Sequence, residues 1–175
     1  MNPRTTVAIA FGASMGDRFR TLLLALHALD AQPELDIRRV SRVYATAPVG
    51  GVARTGFLNA VALADTTLSP RALLVLCKTL ELRLGCRPTR SWADRIIDLD
   101  VLVYGDRVVV EEGLRVPHPR LVERDFFLGA LAEVWPEAKN PWTGLSWLAS
   151  RRTYPIVGVL PRGDRIGAGP SRELA

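Results

Sequence analysis

Residues 96–104, IIDLDVLVY, are apolar everywhere except Asp98 and Asp100. A short run this rich in β-branched and aliphatic residues reads as a buried strand. Alternation puts the two aspartates on one face, followed by Leu102 and Tyr104, and turns Ile97, Leu99, Val101 and Val103 to the other. Two strand rises separate the aspartate Cα atoms by roughly 6.5–7 Å. Two carboxylates on one half-buried face repel each other and lose solvation, and a cation is the obvious candidate to compensate them. The alternative is that both lie at the wet start of the strand, solvated or paired with Arg95.

The remaining pattern limits where this strand can sit. TVAIAFGAS (6–14) reads as a buried strand, followed by a helix with Leu22, Leu26 and Leu29 at helical spacing, ended by Pro33. Residues 35–48 read as a second strand with a bulge. PVGG (48–51) is a loop, and FLNAVALAD (57–65) is a third strand, antiparallel to the second. Ser69-Pro70 has the form of a helix start, an N-cap followed by proline. Leu73, Leu76, Leu80 and Leu84 mark one face of that helix, and Gly85 stops it. CRPTRSWAD (86–94) is a basic loop. After the aspartate strand, Gly105-Asp106 turns the chain into a hairpin return, and VPHPRL (116–121) opens a helix closed by Pro136.

The order is β-α-β-β-α-β with an added hairpin strand and a C-terminal helix. This is an α+β, ferredoxin-like arrangement, an antiparallel sheet with helices on one face. With 175 residues the chain suffices for one domain, expected over 1–152. Residues 153–175, rich in Gly, Pro and Arg, are expected to form a partly disordered extension. A net charge of +5 favours an anionic partner such as a nucleotide, a phosphate or nucleic acid. Cys77 and Cys86 lie too far apart for a disulfide, roughly 13 Å along a helix. With two free thiols and no run approaching a membrane span, the expected location is the cytoplasm.

Asp98 and Asp100 suit Mg²⁺, which favours carboxylate oxygens and keeps waters and substrate phosphates. D-x-D alone is a weak signal. It gains force from Arg87, Arg90, Trp92 and Arg95 upstream and from His118, Arg120 and Arg124 downstream, because metals and guanidiniums can address one polyphosphate from two sides. His118 is either a phosphate donor or a helix cap. Asn59, an amide inside an apolar strand, needs partners that a heterocycle could supply. GASMG (12–16) lacks both the G-x-x-x-x-G-K-[ST] and the G-x-G-x-x-G spacing and reads as a turn before the first helix.

Together, GASMGD, S-x-x-Y-x-T-x-P-x-G (41–50), F-L-N-A-V (57–61), L-E-x-x-L-G (80–85), W-x-x-R-x-x-D-L-D (92–100) and V-P-H-P-R-x-x-x-R-x-F (116–126) resemble the 6-hydroxymethyl-7,8-dihydropterin pyrophosphokinase family. The resemblance implies Mg-dependent transfer of pyrophosphate from ATP to the pterin hydroxymethyl group, with AMP leaving. Asp98 and Asp100 would hold two Mg²⁺ ions and, with Arg95 and Arg87, form the catalytic set. Arg90, Trp92, Arg95, His118 and Arg124 would bind the nucleotide. Thr46, Pro48, Phe57, Asn59, Trp92 and Phe126 would bind the pterin. The expected partners are ATP and a dihydropterin, with neither nucleic acid nor membrane, and the expected state is a monomer.

Two departures stand out. Cys86 occupies the place of a family arginine, and Ala93-Asp94 replaces the usual Gly-Pro before Arg95. They motivate an alternative, a paralogue that binds pterin or nucleotide without transfer. An RNA-binding module of similar topology would need an RNP1-like aromatic stretch, and the sequence contains none.

Overall fold

The computed structural model describes residues 3–46, 56–86, 95–147 and 149, and the backbone of 160–165. The elements are β1 (Thr5–Ala13), α1 (Arg18–Asp30), β2 (Leu35–Val40), β3 (Arg42–Thr46), β4 (Phe57–Thr66), α2 (Pro70–Arg83), β5 (Asp98–Tyr104), β6 (Val109–Glu111), β7 (Leu114–Val116), α3 (Asp125–Val134) and β8 (Leu160–Arg165). The main sheet runs β5-β1-β4-β3-β8, and β2 also pairs with β4. Each of these pairings is antiparallel. β4 thus sits between β1 and the β2/β3 segment, and β1 between β4 and β5. This interleaving of two βαβ units is the ferredoxin-like topology.

Helix starts follow the local chemistry. Asp17 accepts from Arg20 N ahead of α1, and Ser69 accepts from Ala72 N ahead of α2, with Pro70 at its first turn. Gly85 closes α2 at φ +95°, a conformation glycine adopts without strain. Leu22, Leu26 and Leu29 of α1 and Leu73, Cys77 and Leu80 of α2 pack on Val7, Ile9 and Phe11 of β1 and Leu99 of β5. On the opposite face Phe127, Leu128 and Leu131 of α3 pack on Ala8, Ala10, Val61 and Leu63. The sheet therefore has α1 and α2 on one side and α3 on the other. Burial pushes the Cys77 thiol up to about 12, so it stays neutral in the core.

Four expectations are corrected. The single strand over 35–48 is two strands, separated at Ser41. The Ser41 hydroxyl is fully buried. It accepts from Val61 N at 2.9 Å and donates to Arg42 O at 2.8 Å, which satisfies the ladder where the strand shifts its pairing. The hairpin return after Gly105 does not join β5; β6 pairs instead with β7 in a separate two-stranded sheet. Helix α3 begins at Asp125, because residues 118–124 form turns held by Leu121 N→His118 O and Glu123 N→Arg120 O bonds. Finally, β5 carries a bulge. Ala8 pairs with Val103 and Ile9 with Val101, so Leu102 is extra. Leu102 and Val103 therefore both enter the α3-side core, and Tyr104 returns to the α1/α2 side. There the Tyr104 hydroxyl donates to Leu68 O at 2.6 Å.

Within the expected extension, Leu160–Arg165 form β8 along β3. Ser41→Ala strands the Val61 N–H in the core. We expect a loss of about 1–3 kcal/mol in urea unfolding, with the strand order intact; an unchanged midpoint would mean that the hydroxyl is not holding the break.

Candidate active site

The floor of the site is set by strand register. Gly12 of β1 pairs with Asn59 of β4 on one side and with Asp98 of β5 on the other, and Ala10 pairs with Val61 and Asp100. Paired residues share a face. Asn59, Gly12 and Asp98 therefore lie in one row, and Val61, Ala10 and Asp100 in the next. The small central residues leave space between β4 and β5. At Gly12 that space is used: a Cβ there would meet Asn59 Oδ1 at 2.5 Å. The Asn59 amide is buried and donates to Thr46 Oγ1 at 3.0 Å. Phe57, paired with Thr46, lies two residues before Asn59 on the same face.

β5 is an edge strand, so the outward N–H and C=O groups of alternate residues need partners from elsewhere. Helix α2 and its exit supply them. Leu99 N donates to Glu81 Oε1 at 2.6 Å, and Lys78 Nζ donates to Leu99 O at 3.1 Å. The Cys86 thiol accepts from Ile97 N at 3.3 Å and donates to Ile97 O at 2.9 Å. Burial moves that thiol upward, which keeps it neutral and able to donate. Ser14, at the end of β1, extends the inner pairing: Ser14 N donates to Arg95 O at 3.0 Å, and Arg95 N to Ser14 Oγ at 2.9 Å.

The aspartates on this clamped strand each keep 25 % of their side-chain surface exposed, and cations surround them. Arg95 Nη1 binds Asp98 Oδ1 at 2.5 Å, the pairing expected at the strand's start. Lys78 Nζ lies 3.7 Å from Asp98 Oδ1 and 4.0 Å from Asp100 Oδ1. Burial pulls the Lys78 ammonium down, but Glu81, Asp100 and Asp98 outweigh it and the net movement is upward. Burial, and then the like charge of Asp98, push the Asp100 carboxyl up to about 6. Burial, then Arg124 and Arg120, lower His118 to about 4, so its imidazole is neutral at pH 7. Its Nδ1 accepts from Arg120 N at 3.2 Å, which leaves Nε2–H facing Asp100 Oδ2 at 3.9 Å. Phe127 meets the His118 ring edge-on and lies 5.1 Å beneath the Arg124 guanidinium. Phe126 packs on Phe127 with ring centroids 4.4 Å apart.

Beside Asp100 a cavity of about 470 Å³ opens between Leu74 and Lys78 of α2, Asp100 and Val101 of β5, the β6–β7 hairpin, and His118-Pro119. Arg71 secures the hairpin to α2 through Glu111 Oε2 at 2.8 Å and Glu112 O at 2.7 Å. The structure thus brings Asp98, Asp100, Arg95 and His118 together, places Arg124 over Phe127 against His118, and sets Thr46, Phe57 and Asn59 along the same face. Pro48, Arg87, Arg90 and Trp92 lie outside the described residues. Lys78, Glu81 and the hairpin were missed as parts of the site; the signals were the L-E-x-x-L-G motif, which contains Glu81, and its i, i+3 spacing from Lys78.

The titrations oppose each other. Asp100 binds its proton more tightly folded than unfolded, so its contribution to stability falls as pH rises from about 4 to 6. His118 binds its proton less tightly folded, so its contribution rises over the same window. Asp100→Asn should therefore gain stability with pH more steeply than wild type between about pH 4 and pH 6, in chelator, by urea midpoint. Parallel curves would refute the Asp100 shift.

A sequence profile of the 7,8-dihydro-6-hydroxymethylpterin-pyrophosphokinase family matches residues 8–136. The chain is 38 % identical over 136 residues to a 2-amino-4-hydroxy-6-hydroxymethyldihydropteridine pyrophosphokinase of Aquifex aeolicus (strain VF5), covering 78 % of this chain and 84 % of that one. It is 36 % identical over 135 residues to the protein of the same name from Bacillus subtilis (strain 168), covering 77 % and 81 %. Among solved structures it resembles wild-type HPPK-DHPS of Plasmodium falciparum with a TM-score of 0.69. That match has 16 % identity and covers 88 % of this chain but 45 % of the other, so it bears on the fold alone. Sequence and fold agree, and the chain belongs to the 7,8-dihydro-6-hydroxymethylpterin-pyrophosphokinase family.

Proposed function

We propose that this protein transfers pyrophosphate from ATP to the hydroxymethyl group of 6-hydroxymethyl-7,8-dihydropterin, releasing AMP, as a step of folate biosynthesis. The observation that carries the reading is the Asp98–Asp100 pair, aligned on one face beside a nucleotide-sized cavity and ringed by Lys78, Arg95 and His118. Among the described residues no group of three or more His, Cys, Asp or Glu side chains forms a closed metal cage. Two carboxylates alone still fit Mg²⁺, which takes remaining ligands from water and phosphate. Held by Asp98 and Asp100, Mg²⁺ would neutralise phosphate charge as it develops.

The chain's own groups divide the remaining work. The cavity between α2 and the β6–β7 hairpin takes the nucleoside end of ATP, which directs the phosphates along Asp100. Arg95 and Arg124 bind phosphate oxygens, and neutral His118 donates Nε2–H to one of them. On the far side of Gly12, the Asn59 amide and Thr46 read the polar edge of the pterin while Phe57 and Phe126 cover its faces. The two substrates then approach across the small-residue floor of β1, which holds the hydroxyl near the phosphates and supplies orientation. We assign Arg87, Arg90 and Trp92 to the nucleotide side, with Arg87 catalytic, and Pro48 and Trp92 to the pterin side. The free thiols of Cys77 and Cys86 support work in a reducing compartment, the cytoplasm.

The test is AMP formation from ATP and 6-hydroxymethyl-7,8-dihydropterin with Mg²⁺. Pterin-dependent AMP is expected, and Asp98→Asn should lower it by about a hundredfold or more. Pterin and ATP binding without AMP would instead identify the non-transferring paralogue.

A further inference from the structure

We propose that Lys78 is a positioning residue, the resident counter-ion of the Asp98–Asp100 pair, and that its charge weakens the affinity of that pair for free divalent cations. The inference rests on the reading of these aspartates as the metal site. Lys78 approaches both carboxylates, at 3.7 and 4.0 Å, distances that give Coulomb attraction without a hydrogen bond. Its hydrogen bonds go elsewhere, to Glu81 Oε1 at 2.7 Å and Leu99 O at 3.1 Å. The ammonium is therefore tethered by two acceptors that are not the aspartates. It offsets their mutual repulsion without itself occupying a carboxylate lone pair, in contrast to Arg95, which is hydrogen-bonded to Asp98 Oδ1.

A tethered cation has two consequences. Without metal it holds two like charges on neighbouring positions of one strand. With metal it does not leave, because Glu81 and Leu99 still hold it, and an arriving dication meets its repulsion at nearly the same distance. Lys78 also lines the cavity beside Asp100, so it faces whatever occupies that cavity. With 43 % of its side chain exposed, solvent screens these effects to a modest size.

Mn²⁺ serves as the probe, titrated into the full chain without nucleotide at about pH 8 and followed by calorimetry and by the spin-resonance signal of free Mn²⁺. Lys78→Gln, which can still donate to Glu81, and Lys78→Met are each expected to bind Mn²⁺ about tenfold tighter than wild type. Both should unfold at lower temperature in chelator and recover more stability than wild type on adding Mn²⁺. Asp98→Asn is expected to lose the binding. Unchanged or weaker Mn²⁺ binding in both Lys78 variants, with Asp98→Asn still losing it, would overturn the counter-ion role and leave the metal site standing. Wild-type Mn²⁺ affinity in Asp98→Asn would overturn the metal site, and the inference with it.

Discussion

The site depends on how the free edge of β5 is held. One side of this strand pairs with β1, and among the described residues the other has no neighbouring strand. Lys78, Glu81 and Cys86 occupy that side instead and bond the backbone of Leu99 and Ile97. Edge strands are ordinarily protected by charge, bulges or cover. Here the protection comes from side chains that also bring charge to Asp98 and Asp100. The same contacts that finish the sheet fix the face from which the two carboxylates project, since a strand held on both edges cannot turn about its own axis.

The second constraint is the small floor of β1. Ala10 and Gly12 stand between the amide of Asn59 and the two aspartates, with strand spacing setting the separation. A larger residue at Gly12 would displace Asn59 Oδ1 and with it the amide whose Nδ2–H donates to Thr46 Oγ1. Helix α3 closes the same face farther along, and its Phe127 supports both His118 and Arg124. The groups we propose for polar recognition, phosphate binding and metal binding thus share one face of one sheet, each on a different strand or turn.

Much of this was legible in the sequence, for physical reasons. Leucine periodicity and the Ser69-Pro70 start located α1 and α2, and the β-α-β-β-α-β order yielded the topology. The aspartates stood out because charge in an apolar strand demands an explanation. The clamp on β5 was not legible. Lys78 and Glu81 look like an ordinary pair on a helix surface, and only the tertiary fold brings Leu99 between them. Nor was the bulge at Leu102. After Asp100 the strand is apolar on both faces, so polarity no longer marks which way each residue points. The break at Ser41 was partly visible as a bulge, but its buried hydroxyl acts through Val61, twenty residues away. Cys86 reads in sequence as the loss of a family arginine. In the fold its thiol is part of the edge clamp.

The most direct measurement is hydrogen exchange at the Leu99 amide in wild type and Glu81→Ala, with pyrophosphate transfer followed in the same two proteins. If the clamp aligns the carboxylates, the variant should keep its fold, lose protection at Leu99 selectively, and lose kcat far more than nucleotide affinity. Selective loss of protection at Leu99 with unchanged kcat would contradict the account, because β5 would then hold Asp98 and Asp100 in place without its outer edge.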